Sequence, residues 1–178
     1  MKRLILLGIV AVLAHTPAGM AQQRDEAASG ANVHDGAQKA TELNAEQFTR
    51  RAAKASLFDI EAARLATVRA RDPNTSVFAQ QVLNDQLKAQ ADLKVAAEQE
   101  GLPLENKLDG RQQRELERLK QMEGEGFDKA FYSVQKKTQR ATLTLLSEYG
   151  ANGDRESLRA FAQSHYSTMK VNFARVQP

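Results

Sequence analysis

The stretch that decides the fold is PNTSVFAQQVLNDQLKAQADLKVAAEQE, which runs from Pro73 to Glu100. Its apolar residues recur every three or four positions, and this spacing predicts one long amphipathic α-helix. Asp72 supplies an N-cap, Pro73 suits the first helical position, and Gly101 marks the end. Gln86 is a polar residue in the middle of the apolar stripe. At 1.5 Å per residue the helix approaches about 40 Å, a length typical of a helical bundle.

The same spacing predicts three further long helices outside this stretch and one short helix. Their approximate bounds are Asn44–Arg71, Phe127–Tyr149, Arg155–Val176 and, for the short helix, Gly110–Met122. The short helix lies in a long connection, which lets the next helix start from the far end of the bundle. We therefore predict an all-α, ferritin-like four-helix bundle over residues 44–178, with a short crossover helix between the second and third long helices.

Capping residues and glycines set these bounds. Asn44, Asp109 and Asp154 are each expected to cap the helix that follows them. Gly124 and Gly126 are expected to break the chain before the third long helix, and a turn is expected to begin at Gly150.

The predicted buried faces contain several polar residues. On the first helix the buried face is predicted to comprise Leu57, Phe58, Ala62, Leu65 and Val68. Glu61 lies four residues from both Leu57 and Leu65, so it is expected to point inward. The inward polar residues of the whole bundle are Glu61, Gln86, Gln139, His165 and Asn172. Because buried polar groups need hydrogen-bond partners, we predict that they form a polar core layer, which is the candidate ligand site.

Composition argues against most metal and catalytic sites. The chain has no Cys, which excludes disulfides, thiolate metal sites and a Cys nucleophile. Di-iron bundles use a Glu-x-x-His motif on two helices, and this motif does not occur in the sequence. We therefore predict no catalytic residue, no metal and no cofactor, and we expect a non-enzymatic protein. The alternative is a metal-dependent or acid–base function that uses Glu61 and His165.

The N-terminus has the pattern of a secretory signal peptide. Lys2 and Arg3 precede an apolar run, and small residues precede a predicted cleavage site after Ala21. The apolar run has about ten residues, and a helix that spans a bilayer needs about twenty. We predict a signal peptide at 1–21, a flexible linker at 22–43 and export to the bacterial periplasm. The alternative is an uncleaved signal that anchors the protein in the membrane.

Charge gives little indication of a partner. The formal charge is +3, and removal of Lys2 and Arg3 leaves +1. We expect no nucleic-acid partner, because a nearly neutral chain lacks the basic surface that phosphates require. The basic clusters at 50–54 and 136–140 are predicted to be solvated helix faces. The partner is unknown, either a protein or a small molecule. Peripheral association with the envelope is compatible with the sequence, which does not indicate the oligomeric state.

Four segments carry a resemblance to a known family. They are FTRRAAKASLFDIEAARLA in the first helix, VFAQQVLNDQLKAQADLKVAAEQEGL in the second, FDKAFYSV in the third and LRAFAQSHYSTMKVNFA in the last. Together these segments, between Gln47 and Val176, resemble the exported bacterial domain-of-unknown-function family numbered 4142. The resemblance implies a ferritin-like fold.

The resemblance also gives the polar layer an interpretation. In this family the second and third helices each carry an Asp-His pair, and the last helix carries a His near its end. The matching histidine positions are Gln86, Gln139 and Asn172, while Asp85 is kept and Thr138 replaces the other Asp. The resemblance thus implies a member in which three imidazoles are replaced by carboxamides. We expect it to be a binding or envelope-associated protein that has lost any metal or proton-transfer role of those histidines.

Overall fold

A computed structural model describes residues 43–175, apart from the side chains of Asn172 and Arg175. This part of the chain forms five α-helices and contains no strand. They are α1 (Ala45–Arg69), α2 (Pro73–Gln99), α3 (Gly110–Lys120), α4 (Gly124–Asn152) and α5 (Glu156–Arg175). The all-α prediction, with four long helices and a short crossover helix, is confirmed. The predicted signal peptide, the predicted linker up to residue 42 and Val176 lie outside the described residues.

Three of the predicted caps stabilise helix starts. The Asn44 side chain accepts a hydrogen bond from the Gln47 amide at 2.9 Å. Asp72 accepts from an amide in the first turn of α2, which has a proline in that turn. Asp109 forms a reciprocal capping box with Gln112 at the start of α3. These short-range contacts satisfy amides that have no partner inside the helix, and they explain why local sequence located the helix starts so well.

The glycine-based bounds of α4 were wrong. The helix begins at Gly124, not at Phe127, and Gly126 lies inside it. Gly124 has a φ of +56°, a left-handed conformation that glycine adopts without steric cost. At the other end the helix continues to Asn152, beyond the turn predicted at Gly150. A glycine in a long buried helix therefore did not interrupt it, because tertiary packing outweighs local propensity.

The predicted cap of α5 was also wrong. The Asp154 carboxylate accepts a hydrogen bond from the Tyr149 hydroxyl at 2.9 Å. The amide of Ser157, in the first turn of α5, donates to Glu100 at 3.1 Å. Glu100 is the C-cap residue of α2, so a side chain distant in sequence caps this helix and joins α2 to α5.

The long helices pack as a closed square. α1 packs against α2 and α4, α5 packs against the same two helices, and α3 lies over α1 and α4. The start of α4 lies beside the end of α1, where Asp128 accepts hydrogen bonds from the backbone amides of Arg71 and Asp72. Since α2 carries the chain to the opposite end, the segment with α3 must bring it back. Adjacent long helices are antiparallel while α2 and α4 are parallel, as in a ferritin-like bundle with one crossover.

The apolar core is divided into two clusters. The first surrounds Phe48 and Tyr149, whose rings stack with centroids 4.0 Å apart. The second surrounds Phe127 and Phe131. Along α4 the second cluster ends at Val134 and the first begins at residue 145, so buried polar residues occupy the segment between them. The bundle is thus apolar toward both ends and polar in its middle.

The buried face of α1 differs from the prediction. Val68 is 79% exposed, and Leu57 and Leu65 are only half-buried. Small and polar residues are buried in their place: Ala52, Ser56, Asp59, Ala63 and Ala66. Small side chains let α1 and α2 approach closely, so the buried face follows residue size and not hydrophobicity alone. Among residues 43–175 no helix is long and apolar enough to cross a membrane.

Candidate functional site: a polar layer inside the bundle

The structure brings three of the five predicted site residues to one cavity. Gln86 on α2 and Gln139 on α4 are buried, and both line a cavity of about 40 Å³. His165 on α5 lines the same cavity, as does Asp85. The side chain of Asn172 lies outside the described part of the chain. The cavity therefore sits where α2, α4 and α5 meet.

Glu61 does not join this layer. Its side chain is 41% exposed and its carboxylate pairs with Arg64 at 2.8 Å on the surface of α1. The expectation that it points inward was based on Leu57 and Leu65, which are themselves only half-buried. The buried face of α1 consists mainly of its small residues, and Glu61 lies at the edge of that face.

A hydrogen-bonded chain of four side chains, here called the polar chain, crosses the bundle from α1 to this cavity. Its members are Asp59, Gln135, Thr138 and Gln139. Asp59 Oδ1 accepts from the Thr138 hydroxyl at 2.8 Å and from Gln135 Nε2 at 3.4 Å. Gln135 Oε1 in turn accepts from Gln139 Nε2 at 3.2 Å. The polar chain thus links a buried carboxyl on α1 to the cavity beside α2 and α5.

The direction of the polar chain leaves the side-chain oxygen of Gln139 without a donor. Because Gln135 donates its amide nitrogen to Asp59, its oxygen is available to Gln139, and Gln139 must present its own nitrogen there. Gln139 Oε1 is then buried and has no hydrogen-bond partner among the described residues. Buried acceptors of this kind are uncommon in folded proteins.

Burial raises the pKa of Asp59 from its usual 3.8 to about 7, against the opposing effect of the hydrogen bonds from Thr138 and Gln135. Its second oxygen, Oδ2, has no partner among the described residues. Asp59 was not among the predicted site residues. Asp59 lies on the face of α1 that carries the small residues Ser56 and Ala63. That spacing of small residues was the signal in the sequence that could have identified Asp59 as buried. Its carboxyl group changes protonation near neutral pH.

His165 is held in place by neighbours on two helices. Its Nε2 lies 3.0 Å from Asp92 Oδ2, and its ring lies 4.4 Å from the ring of Phe161. The hydrogen bond from Lys88 to Asp92, at 2.6 Å, is the main cause of a lowered pKa for Asp92, which therefore stays ionised. The His165 side chain is 14% exposed. The imidazole therefore lies at the edge of the cavity with its Nε2 already engaged.

The donor set does not fit a metal centre. Among residues 43–175, no three side chains of His, Cys, Asp or Glu come close enough to hold a metal ion. The layer itself presents carboxamides and one engaged imidazole. Amide oxygens are weak ligands for transition metals, whereas they are good hydrogen-bonding groups. Gln86, Gln139 and His165 therefore suit hydrogen bonding better than metal coordination.

The sequence that forms the bundle matches the model of a known family. A family model described as Domain of unknown function (DUF4142) matches residues 30–177. The chain belongs to this family. No curated protein and no solved structure matches the chain significantly. Of the three DUF4142 positions at which the resemblance implies a replaced histidine, Gln86 and Gln139 line the same cavity.

Proposed function

We propose that this DUF4142 protein is an exported, non-enzymatic binding protein of the bacterial envelope. Its ligand presents a small hydrogen-bond donor to the cavity between α2, α4 and α5. The observation that carries this proposal is that Gln139 lines the cavity and that its buried Oε1 has no hydrogen-bond partner among the described residues. An unsatisfied buried acceptor costs about 1–3 kcal/mol, and a donor supplied by a ligand would recover that free energy.

The size and lining of the cavity define the ligand group. A volume of about 40 Å³ accommodates only a few heavy atoms, since one water needs about 10–15 Å³ on this scale. Gln139 lines the cavity and its Oε1 has no partner among the described residues, so the ligand group must supply a hydrogen-bond donor. A primary ammonium group is a compact donor with three N–H bonds. We therefore assign the cavity to a primary ammonium group, either free or at the end of a larger ligand.

The neighbouring groups favour binding over catalysis. The Thr168 hydroxyl, which lines the cavity, donates to the Ser164 carbonyl at 3.4 Å. The imidazole of His165 is engaged with Asp92. A nucleophile requires an adjacent base within hydrogen-bond reach, and neither group is paired in that way. The competing metal-dependent function requires Glu61 and His165 to act together, whereas Glu61 is paired with Arg64 at the surface of α1.

Titration with methylammonium tests the binding proposal. We expect saturable changes in the side-chain amide resonances of Gln86 and Gln139 in nitrogen–proton correlation spectra. Tetramethylammonium, which has the same charge but no N–H group, is expected to leave them unchanged. Gln139→Leu should abolish the response to methylammonium, while Gln80→Leu, at an exposed position of α2, should retain it. Equal responses to both cations, or no response to either, would refute the proposal.

The N-terminal sequence of the mature protein tests export. Protein recovered from the periplasmic fraction is expected to begin at Gln22, as the predicted cleavage after Ala21 requires. Recovery in the membrane fraction with Lys2 and Arg3 still present would instead support an uncleaved anchor.

A further inference from the structure

A second concave site lies on another face of the bundle, between α1, α3 and α4. It is a groove of about 430 Å³, within the range of small-molecule sites. Phe58, Val134 and Leu145 form its buried floor, and Ala55 and Ala141 are apolar lining residues that are not buried. Four basic residues also line it: Arg51, Lys54, Arg111 and Lys137. We call this site the basic groove.

The charges in the basic groove are unbalanced. Asp109 also lines it, but its carboxylate caps α3, and Glu115 pairs with Arg118 at 2.6 Å. Among the described residues, Lys54 is the one basic lining residue with an ion pair, which it forms with Glu105 at 3.4 Å. The side chains of Arg51, Arg111 and Lys137 have no ion pair among the described residues.

Two of the cations without an ion pair, Arg111 and Lys137, line the groove from different helices. Both also contribute to the lowered pKa of Glu115, after the larger effect of its hydrogen bond with Arg118. Arg111 lies on α3 and Lys137 on α4, so they approach the groove from its two sides. The sequence alone indicated solvated faces for the clusters at 50–54 and 136–140. The fold brings Arg51 and Lys54 of the first cluster and Lys137 of the second cluster to the basic groove.

The groove has a fixed frame. Gln112 on α3 donates from its side chain to the backbone carbonyl of Lys54 on α1 at 3.0 Å. Leu116 and Leu119 of α3 are buried against the second apolar cluster. The crossover helix is thus attached by both polar and apolar contacts, and the groove is formed before any ligand arrives.

We propose that the basic groove binds a small amphipathic anion, a carboxylate or phosphate head group that carries an apolar chain. The head group lies against Arg111 and Lys137, and the chain lies over Ala55 and Ala141 above the buried floor of the groove. Charge complementarity fixes the sign of the head group, and the apolar surface requires the chain. The site is formed by different residues from the cavity beside Gln139, so it does not depend on the proposed function.

Calorimetric titration with three matched ten-carbon probes tests this proposal. Sodium decanoate carries the head-group charge, decyltrimethylammonium reverses it, and decanol removes it. We expect saturable binding of decanoate and at least about tenfold weaker binding of the other two, since charge-assisted contacts supply the difference. Equal affinity for the three probes would overturn the proposal, because it would show that the apolar surface alone is responsible.

Variants place the binding in the groove. Arg111→Gln and Lys137→Gln are each expected to weaken decanoate binding about tenfold. Lys136→Gln is the matched control, because Lys136 is the exposed neighbour of Lys137 and does not line the groove. Ala141→Phe, an exposed position that does line it, should block the chain while it leaves every charge in place. If Arg111→Gln, Lys137→Gln and Ala141→Phe all bind decanoate like the wild type, the groove is not the site.

Vesicles distinguish the source of the anion. Phosphatidylglycerol vesicles present the same head-group chemistry on a surface, with their chains held in the bilayer. A soluble anion in the groove predicts that decanoate binds and competes with any vesicle association. Sedimentation with the vesicles in the absence of decanoate binding would contradict the proposal, because it would indicate a membrane surface in place of a small molecule.

Discussion

The substitution Asp59→Asn tests whether the polar chain contains a carboxyl group whose proton is held by burial. Asp59 is 1% exposed, and Oδ1 accepts from Thr138 and Gln135. Asparagine keeps an oxygen at that position and resembles the protonated carboxyl in shape. The substitution therefore removes the ionisation while it preserves the hydrogen bonds of the polar chain.

The sign of the effect follows from the direction of the pKa shift. The pKa of Asp59 is raised from 3.8 to about 7 in the folded protein, so the folded state binds more protons than the unfolded state between these values. The free energy of unfolding contributed by Asp59 is therefore full at low pH and is lost as the pH rises through this window. At about 1.4 kcal/mol per pH unit, the loss is about 4 kcal/mol by pH 8.

Urea unfolding followed by circular dichroism, at intervals from pH 4 to pH 8, measures this effect. The free energy of unfolding of Asp59→Asn should gain about 4 kcal/mol relative to the wild type across this range. Asp92→Asn is the control: the pKa of Asp92 is lowered, chiefly by Lys88, so its contribution is lost only as the pH falls below 3.8, and this variant should show no such gain between pH 4 and pH 8. If the difference between wild type and Asp59→Asn is the same at every pH, Asp59 is not held in the protonated form and the account of its burial is wrong.

Other predictions concern backbone geometry and the connection between helices, and urea unfolding measures each. Gly126→Ala should stabilise the protein by about 0.5–1 kcal/mol, because Gly126 lies in α4 and an added Cβ would meet open space. Gly153→Ala should cost about 1–3 kcal/mol, because the added Cβ would lie 2.5 Å from the buried ring of Tyr149. The opposite order of these two variants would contradict the packing described at Gly153. Asp128→Ala should cost about 2–3 kcal/mol by leaving two backbone amides of the α1–α2 connection without their acceptor, and Asp128→Asn should cost about half as much. Equal stability of the wild type and Asp128→Ala would show that this connection needs no side-chain acceptor.

Features determined by neighbours in sequence were predictable. The capping groups of Asn44, Asp72 and Asp109 act within three residues of themselves, so the sequence located three helix starts. The long connection before α4 predicted the crossover, because a chain that must return along the bundle needs such a length.

Features determined by contacts between helices were less predictable. The amphipathic spacing placed Gln86 and Gln139 inside the bundle, but it placed Glu61 there as well. The reason is that Ala63 and Ala66 count little on a hydrophobicity pattern, although small residues determine how closely helices approach. Asp59 was missed for the same reason, since the buried residues beside it on that face, Ser56 and Ala63, are small.

The cap of α5 shows the same limit at a helix end. Asp154 has the residue type and position of an N-cap, yet Tyr149 donates to its carboxylate. Glu100, more than fifty residues earlier in sequence, takes the Ser157 amide. A pattern of adjacent residues cannot reveal a partner that only the folded bundle brings near.

Elemental analysis of untagged protein purified from the periplasm tests the central claim most directly. The claim is that the layer of Gln86, Gln139 and His165 acts by hydrogen bonding, because carboxamides make weak transition-metal ligands. It predicts iron, zinc, copper and manganese well below one atom per chain, and no loss of stability with a chelator. A metal content near one atom per chain that His165→Ala abolishes would contradict the claim.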